Sequence, residues 1–129
     1  MNQLKDTLNF EIEFIAEDST CKLVCTGEIN YKQAIGAIHS VVNHQDFHPE
    51  QKIIVDLLKM NYHPSYDELL GIVEKFKLHK EEIKGKVALL TTHKMSIVAK
   101  LIAIYCELAG MKMKSFVEPE EALVWISEK

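Results

Sequence analysis

The stretch of sequence that decides the fold is residues 22–42, KLVCTGEINYKQAIGAIHSVV, because the hydrophobic period changes within it. Lys22–Thr26 predicts a strand, the hairpin partner of an earlier run in which apolar residues alternate with polar ones. Asn30, followed three residues later by Gln33, forms a capping-box pattern that begins a helix. The alternating residues of the first strand are Leu8, Phe10, Ile12 and Phe14, and the helix stripe is Ala34, Ile35, Ile38, Val41 and Val42.

The rest of the chain alternates between strands and helices. Apolar runs predict strands at Lys52–Leu57, Val87–Leu90 and Lys112–Val117. Ser65 with Glu68 predicts a second capped helix that Gly85 ends. A long helix from about Met95 to Ala109 is terminated by Gly110, and Pro119 opens a short last one.

The predicted order is ββαβαβαβα, which indicates an α/β fold in one domain spanning residues 1–129. We expect a mostly parallel sheet with an antiparallel hairpin strand at its edge and helices packed on it. Binding sites in such sheets usually lie at the carboxyl ends of the parallel strands. In this chain those ends are the loops around Lys59–Ser65 and Thr91–Ser96.

Composition excludes several classes of protein. The chain has 129 residues, 47% of them hydrophobic and 26% charged, which excludes a disordered or collagen-like chain. A net charge of −4 argues against a nucleic-acid partner, which would need a basic face. No apolar run approaches the length of about 20 residues that spans a membrane, and no signal peptide is visible. With three cysteines in apolar settings, we expect a reduced, cytoplasmic protein.

Residues with catalytic chemistry do not form a recognisable constellation. His44 and His48 stand four apart in a predicted loop without further ligands nearby, so we expect no metal and no cofactor. Ser65 with His63 and Asp67 lacks the G-x-S-x-G pattern of a nucleophile elbow, and helix capping explains Ser65 better. We therefore predict that the protein is not an enzyme.

Thr91, Thr92, His93 and Lys94 lie where a strand ends and the long helix begins. Free backbone N–H groups and Lys94 could receive an anion there. The alternative, which we favour, is that Thr91 or Thr92 caps the helix.

The long helix is apolar on more than one side. Met95, Val98, Ile102 and Tyr105 can form its sheet-facing stripe. Ile97 and Ile104 then point elsewhere, and with Tyr62 and Tyr66 they could extend into a larger patch. Such a helix needs cover, most often from neighbouring helices and otherwise from a dimer contact, another partner or an apolar ligand. The candidate interface or pocket comprises Ile97, Leu101, Ile104 and Tyr105.

The segment Lys22–Asn30, which ends in Gly27-Glu28-Ile29-Asn30, resembles the opening of STAS domains, the sulfate-transporter and anti-sigma-factor-antagonist family. In that family the second strand ends in G-E-[IL]-D, and Ile54–Leu57 is similar to the family's central strand. The closing segment, Ser115-Phe116 through Trp125, looks like a divergent STAS-like branch related in fold to Sec14-type lipid-binding domains.

The resemblance implies a STAS-like fold and a non-catalytic regulatory domain that binds a protein partner. Family antagonists carry Asp-Ser-Ser/Thr-Gly after the central strand, and a kinase phosphorylates the second hydroxyl residue. This chain reads Pro64-Ser65-Tyr66-Asp67 there, so we expect no phosphoserine switch. The alternative function is a binding module for a small apolar, lipid-like ligand. The candidate partner or regulatory loop comprises Tyr62, His63, Ser65, Tyr66 and Asp67.

Overall fold

The computed structural model describes residues 9–15 and 19–128. Within them the order of elements is the predicted ββαβαβαβα, while Leu8 of the first predicted strand lies outside the described residues. A 3₁₀ turn, His93–Met95, precedes the third helix. The strands are β1 (Phe10–Ile15), β2 (Thr20–Glu28), β3 (Lys52–Asn61), β4 (Val87–Leu90) and β5 (Met113–Phe116), and the helices are α1 (Tyr31–Val42), α2 (Tyr66–Leu78), α3 (Ser96–Leu108) and α4 (Pro119–Ser127).

The five strands form one sheet in the order β1-β2-β3-β4-β5. β1 pairs antiparallel with β2, and Ile12 lies opposite Leu23. The pairs β2–β3, β3–β4 and β4–β5 are parallel, and Val55 lies opposite both Leu23 and Leu89. The predicted mostly parallel sheet with an antiparallel edge hairpin is therefore confirmed.

The sheet is covered by helices on both faces. Helices α1, α2 and α3 contribute to the main core, which they form with the sheet residues Leu23, Val55 and Leu89. α4 packs on the other face, where Ala122 and Ile126 meet Ile54 and Ala88. The alternation of buried side chains along β3 and β4 supplies both clusters, because neighbouring residues of a strand point to opposite faces.

Local signals in the sequence position the helices as predicted. Asn30 Oδ1 accepts a hydrogen bond from the Gln33 backbone at 2.8 Å, and Ser65 Oγ accepts one from the Glu68 backbone at 3.1 Å. In each case the third helical residue reaches back to the capping residue's N–H, so both capping boxes are complete. α3 ends at Leu108, and Gly110, two residues later, has a φ of 100°, in the left-handed region that favours glycine.

Several boundaries differ from the sequence prediction by one or two residues, and two differ by more. β3 continues to Asn61 and does not end at Leu57, so Lys59 belongs to the strand. α2 ends at Leu78, before the glycine that was predicted to end it. Gly85 instead lies against the backbone of Gln51, whose carbonyl oxygen a Cβ at this position would meet. The glycine therefore permits a close approach of two chain segments.

Candidate interaction surface on α3 and the loop after β3

The inner face of α3 consists mainly of small residues. Ala99, Ile102, Ala103 and Cys106 are its buried residues. The sequence predicted Val98 and Tyr105 for this face, but both are only half-buried, on a flank of the helix. The reason is that alanine and cysteine let the helix backbone come close to the sheet, and this rotates the larger side chains outward.

The outer face of α3 carries a second apolar row, which we call the outer stripe: Ile97, Leu101, Ile104 and Leu108. Ile97 is 73% exposed, Ile104 is 42% exposed and Leu108 is 80% exposed, while Leu101 is half-buried. At 3.6 residues per turn these four positions lie opposite the inner face. Of the covers that the sequence analysis considered, neighbouring helices in the described part of the chain therefore do not supply one for this face.

Tyr66 connects the outer stripe with the loop after β3. Its side chain is 58% exposed, and its hydroxyl lies 3.2 Å from the hydroxyl of Tyr105 on α3. This hydrogen bond, followed by the charge of Tyr105 and slight burial, raises the pKa of Tyr66. The contact places Tyr66 beside α3, the helix whose outer residues the sequence analysis grouped with it in one patch.

Among the other residues of the loop after β3, Tyr62 and Ser65 form hydrogen bonds at the start of α2. Tyr62 donates a hydrogen bond to Glu68 Oε1 at 2.9 Å, and the same oxygen accepts from the Ser65 backbone N–H at 3.2 Å. Burial and the Glu68 carboxylate raise the pKa of Tyr62. His63 and Asp67 are exposed, and within the described residues no hydrogen bond joins either of them to Ser65.

The segment Thr91–Lys94 does not cap the helix as predicted. Thr91 is 1% exposed, and its hydroxyl has no hydrogen-bond partner among the described residues. Its backbone N–H donates to the Phe116 carbonyl at 2.9 Å, which continues the pairing of β4 with β5 and holds the side chain inside. Thr92 directly precedes the 3₁₀ turn, and its side chain also makes no capping hydrogen bond within the described residues. His93 and Lys94 are exposed, and anion binding there stays a prediction.

An apolar cavity of about 90 Å³ lies between the sheet and the layer of helices α1 to α3. Thr91, whose hydroxyl has no partner among the described residues, is among the mostly apolar residues that line it. Met60, Tyr62 and Pro64 also line the cavity and are half-buried, so its outer side lies near the end of β3. The candidate interface or pocket of Ile97, Leu101, Ile104 and Tyr105 contributes none of the residues that line this cavity. Its position could not be predicted from the sequence, because gaps in packing depend on how side chains from distant segments interlock.

His44 and His48 contact neighbouring side chains or backbone groups. His44 Nδ1 accepts a hydrogen bond from the Asp46 backbone, and its ring packs 4.6 Å from that of Phe14. His48 Nε2 lies 3.3 Å from Ser19 Oγ. Across the described ranges, no three His, Cys, Asp or Glu residues are placed to hold a metal ion. None of the helices in that part of the chain is long and apolar enough to span a membrane.

No protein-family model matches the sequence, and no curated protein matches it. Among solved structures, it is similar to an uncharacterised protein of the DUF3478 family with a SpoIIAA-like fold, from Shewanella loihica PV-4. The two chains superpose with a TM-score of 0.58 at 17% sequence identity, and the match covers 91% of each chain. The phosphorylated form of the Bacillus cell fate determinant SpoIIAA matches with a TM-score of 0.46 at 16% identity, over 91% of this chain and 98% of that one.

The likeness to the Shewanella protein confirms the predicted STAS-like fold, which is the fold of SpoIIAA. At 17% identity it establishes a shared architecture and leaves the function to be inferred from this chain's own surfaces. The relation in fold to Sec14-type lipid-binding domains stays a prediction.

Proposed function

We propose that this chain is a non-catalytic regulatory domain that acts by binding a protein through the outer stripe of α3. The observation that carries the proposal is that α3 has two opposite apolar faces, of which the sheet and α2 cover only one. Single exposed apolar residues are ordinary on a protein surface, but a continuous apolar patch is typical of interaction sites. Tyr66 and Tyr105 extend the patch on the side of α2.

The dimensions of the outer stripe suit a protein partner. From Ile97 to Leu108 it runs for about 16 Å at a rise of 1.5 Å per residue. Burial of one Ile or Leu side chain contributes about 1.5 to 3 kcal/mol. Ile97, Ile104 and Leu108 together can therefore contribute several kcal/mol before the cost of association.

The proposed regulation does not use a phosphoserine at the start of α2. The Ser65 hydroxyl already accepts a hydrogen bond in the capping box, and the residue after it is a tyrosine. The unmodified hydroxyl is therefore sufficient to cap α2. Control by occupation of the outer stripe needs no such modification.

Site-specific photocrosslinking tests the proposal. A photoreactive phenylalanine analogue in place of Ile97 should give a discrete covalent adduct in the native cell. The matched control is the same analogue at Leu123, an exposed apolar position on α4. The partner identified from the adduct should, when purified, bind the wild-type chain and fail to bind Ile104→Glu. No adduct at Ile97, or identical adducts from both positions, would contradict the proposal.

A second candidate function is binding of a small apolar ligand, and the cavity near Thr91 favours it. Apolar cavities of about 150 Å³ stay dry and take up molecules such as benzene or xenon, so one of about 90 Å³ suits a smaller molecule. A ligand with one polar atom could also pair with the Thr91 hydroxyl. Native mass spectrometry of freshly purified protein should then show a retained molecule that Thr91→Val loses. Ligand-free protein would argue against this function.

A further inference from the structure

The outer stripe has the spacing of a helix–helix seam. Its four residues are four, three and four positions apart, which matches alternating d and a positions of a heptad repeat. The buried residues Ala99, Ile102, Ala103 and Cys106 fall on the f, b, c and f positions. α3 therefore exposes a complete seam to solvent, while the residues on its opposite side are buried in the domain.

Two charged residues flank the seam on one side. Lys100 and Glu107 are exposed, and each directly precedes a stripe leucine, so both occupy g positions. The other flank carries the half-buried Val98 and Tyr105 and faces α2. Charges at g positions decide the partner and the orientation of paired helices. The sign of the charge changes from one g position to the next.

We propose that the outer stripe is occupied by a second copy of this chain, with the two α3 helices antiparallel about a twofold axis. This inference rests on the proposed function and names its partner. In the antiparallel register Leu101 lies opposite Ile104 of the second copy, and Ile97 lies opposite Leu108. Lys100 then lies beside Glu107 of the second copy, and the twofold axis repeats the pair. The apolar seam and the two charges of α3 are thus complementary to those of a second α3 in the antiparallel orientation.

A parallel arrangement does not give this complementarity. Parallel helices place g positions opposite e positions, so Lys100 would meet Tyr105 of the second copy and Glu107 would find no cation. The antiparallel dimer satisfies both charges with the residues that the chain itself supplies.

The dimer forms and dissociates with concentration. A stable interface buries about 800 Å² on each partner, which is more than one helix of 13 residues provides by itself. Tyr66, beside the seam, adds contact area. An interface of this size belongs to the weak, transient class, in which single residues change the measured equilibrium strongly.

Sedimentation of the wild-type chain over a range of concentrations tests this inference, with circular dichroism as the check on folding. The wild type should shift from monomer to dimer as concentration rises, and Ile104→Glu should stay monomeric. Lys100→Glu and Glu107→Lys should each weaken dimerisation about tenfold, because each replaces two attractive pairs with two repulsive ones. The double variant should restore it, and an equimolar mixture of the two single variants should form a heterodimer.

The outcomes separate this inference from the proposed function. A wild type that stays monomeric throughout overturns the dimer, and so do charge variants that dimerise as the wild type does. If photocrosslinking at Ile97 then yields a different protein, the function stands and only the identity of the partner is wrong. If that crosslink is also absent, both fail.

Discussion

The hydroxyl groups of Tyr66 and Tyr105 meet at 3.2 Å, although the two residues are 39 positions apart in the chain. Tyr66 is the first residue of α2, and Tyr105 lies in the second half of α3. The hydrogen bond therefore fixes the start of one helix against the side of its neighbour. The outer stripe and the loop after β3 form one surface for this reason.

The Tyr66–Tyr105 hydrogen bond should be visible in a titration. Since the bond raises the pKa of Tyr66, Tyr105→Phe should lower that pKa toward the ordinary value for tyrosine. NMR titration of the tyrosine rings measures the change, and Tyr66→Phe assigns the signal. An unchanged Tyr66 pKa in Tyr105→Phe would contradict the contact.

Loss of the Ser65 cap should weaken the fold measurably. Ser65→Ala removes the acceptor for the Glu68 backbone N–H and should lower the free energy of unfolding by about 1 kcal/mol. Denaturant unfolding gives the value. Ser127→Ala is the control, because that hydroxyl donates to Val124 at the end of α4 and caps no helix start; it should cost less. Mass spectrometry of protein from its native cell should also find Ser65 unmodified. Stoichiometric phosphate on Ser65 would show that the chain does carry a phosphoserine switch.

Replacement of the Thr91 hydroxyl should stabilise the ligand-free protein. The hydroxyl is buried without a partner in the described structure, so Thr91→Val removes an unsatisfied group and keeps the shape. We expect the free energy of unfolding to rise by about 1 kcal/mol. Thr91→Ala is the comparison: it also removes a methyl group and should be less stable than Thr91→Val. A destabilised Thr91→Val would show that the hydroxyl has a partner in solution.

Two glycine substitutions should have effects of opposite sign. Gly85→Ala places a Cβ against the Gln51 carbonyl oxygen, where only a backbone shift makes room, so we expect a loss of about 1 to 3 kcal/mol. Gly36→Ala in α1 meets nothing within 4 Å and should gain up to about 1 kcal/mol from helix propensity. Thermal and denaturant unfolding measure both. If Gly85→Ala and Gly36→Ala changed the free energy of unfolding equally, the close approach at Gly85 would be contradicted.

The three buried thiols should make the protein sensitive to alkaline pH. Burial raises the pKa of Cys21 to about 11 and, with smaller electrostatic effects, those of Cys25 and Cys106 to about 12. The folded state thus favours protonated thiols, so their contribution to stability is complete below the ordinary value of 9.0 and is lost as pH rises through 11 to 12. Unfolding free energies measured across this range should fall. Below pH 9, a thiol reagent should react no faster than the chain opens.

Signals that are local in sequence predicted the fold well. Asn30, Ser65 and Gly110 position helix ends by hydrogen bonds or backbone angles within a few residues, so the pattern alone was sufficient. The inner face of α3 was predicted in part: Ile102 is buried as expected, but Ala99 and Ala103 were missed because they carry little hydrophobic signal. The Tyr66–Tyr105 contact and the cavity beside Thr91 depend on packing between distant segments. No periodicity in a single sequence carries that information.

The strand order has a consequence for where a ligand can enter. In doubly wound sheets, the order of strands reverses at one point, the crossover helices diverge to opposite faces there, and a crevice opens beyond the strand ends. In the described part of this chain the order β1 to β5 never reverses, and α1, α2 and α3 all cover one face. The topology thus supplies no switch-point crevice of the kind that receives nucleotides. The interaction surface that we propose lies instead on the outside of the helical layer, on α3.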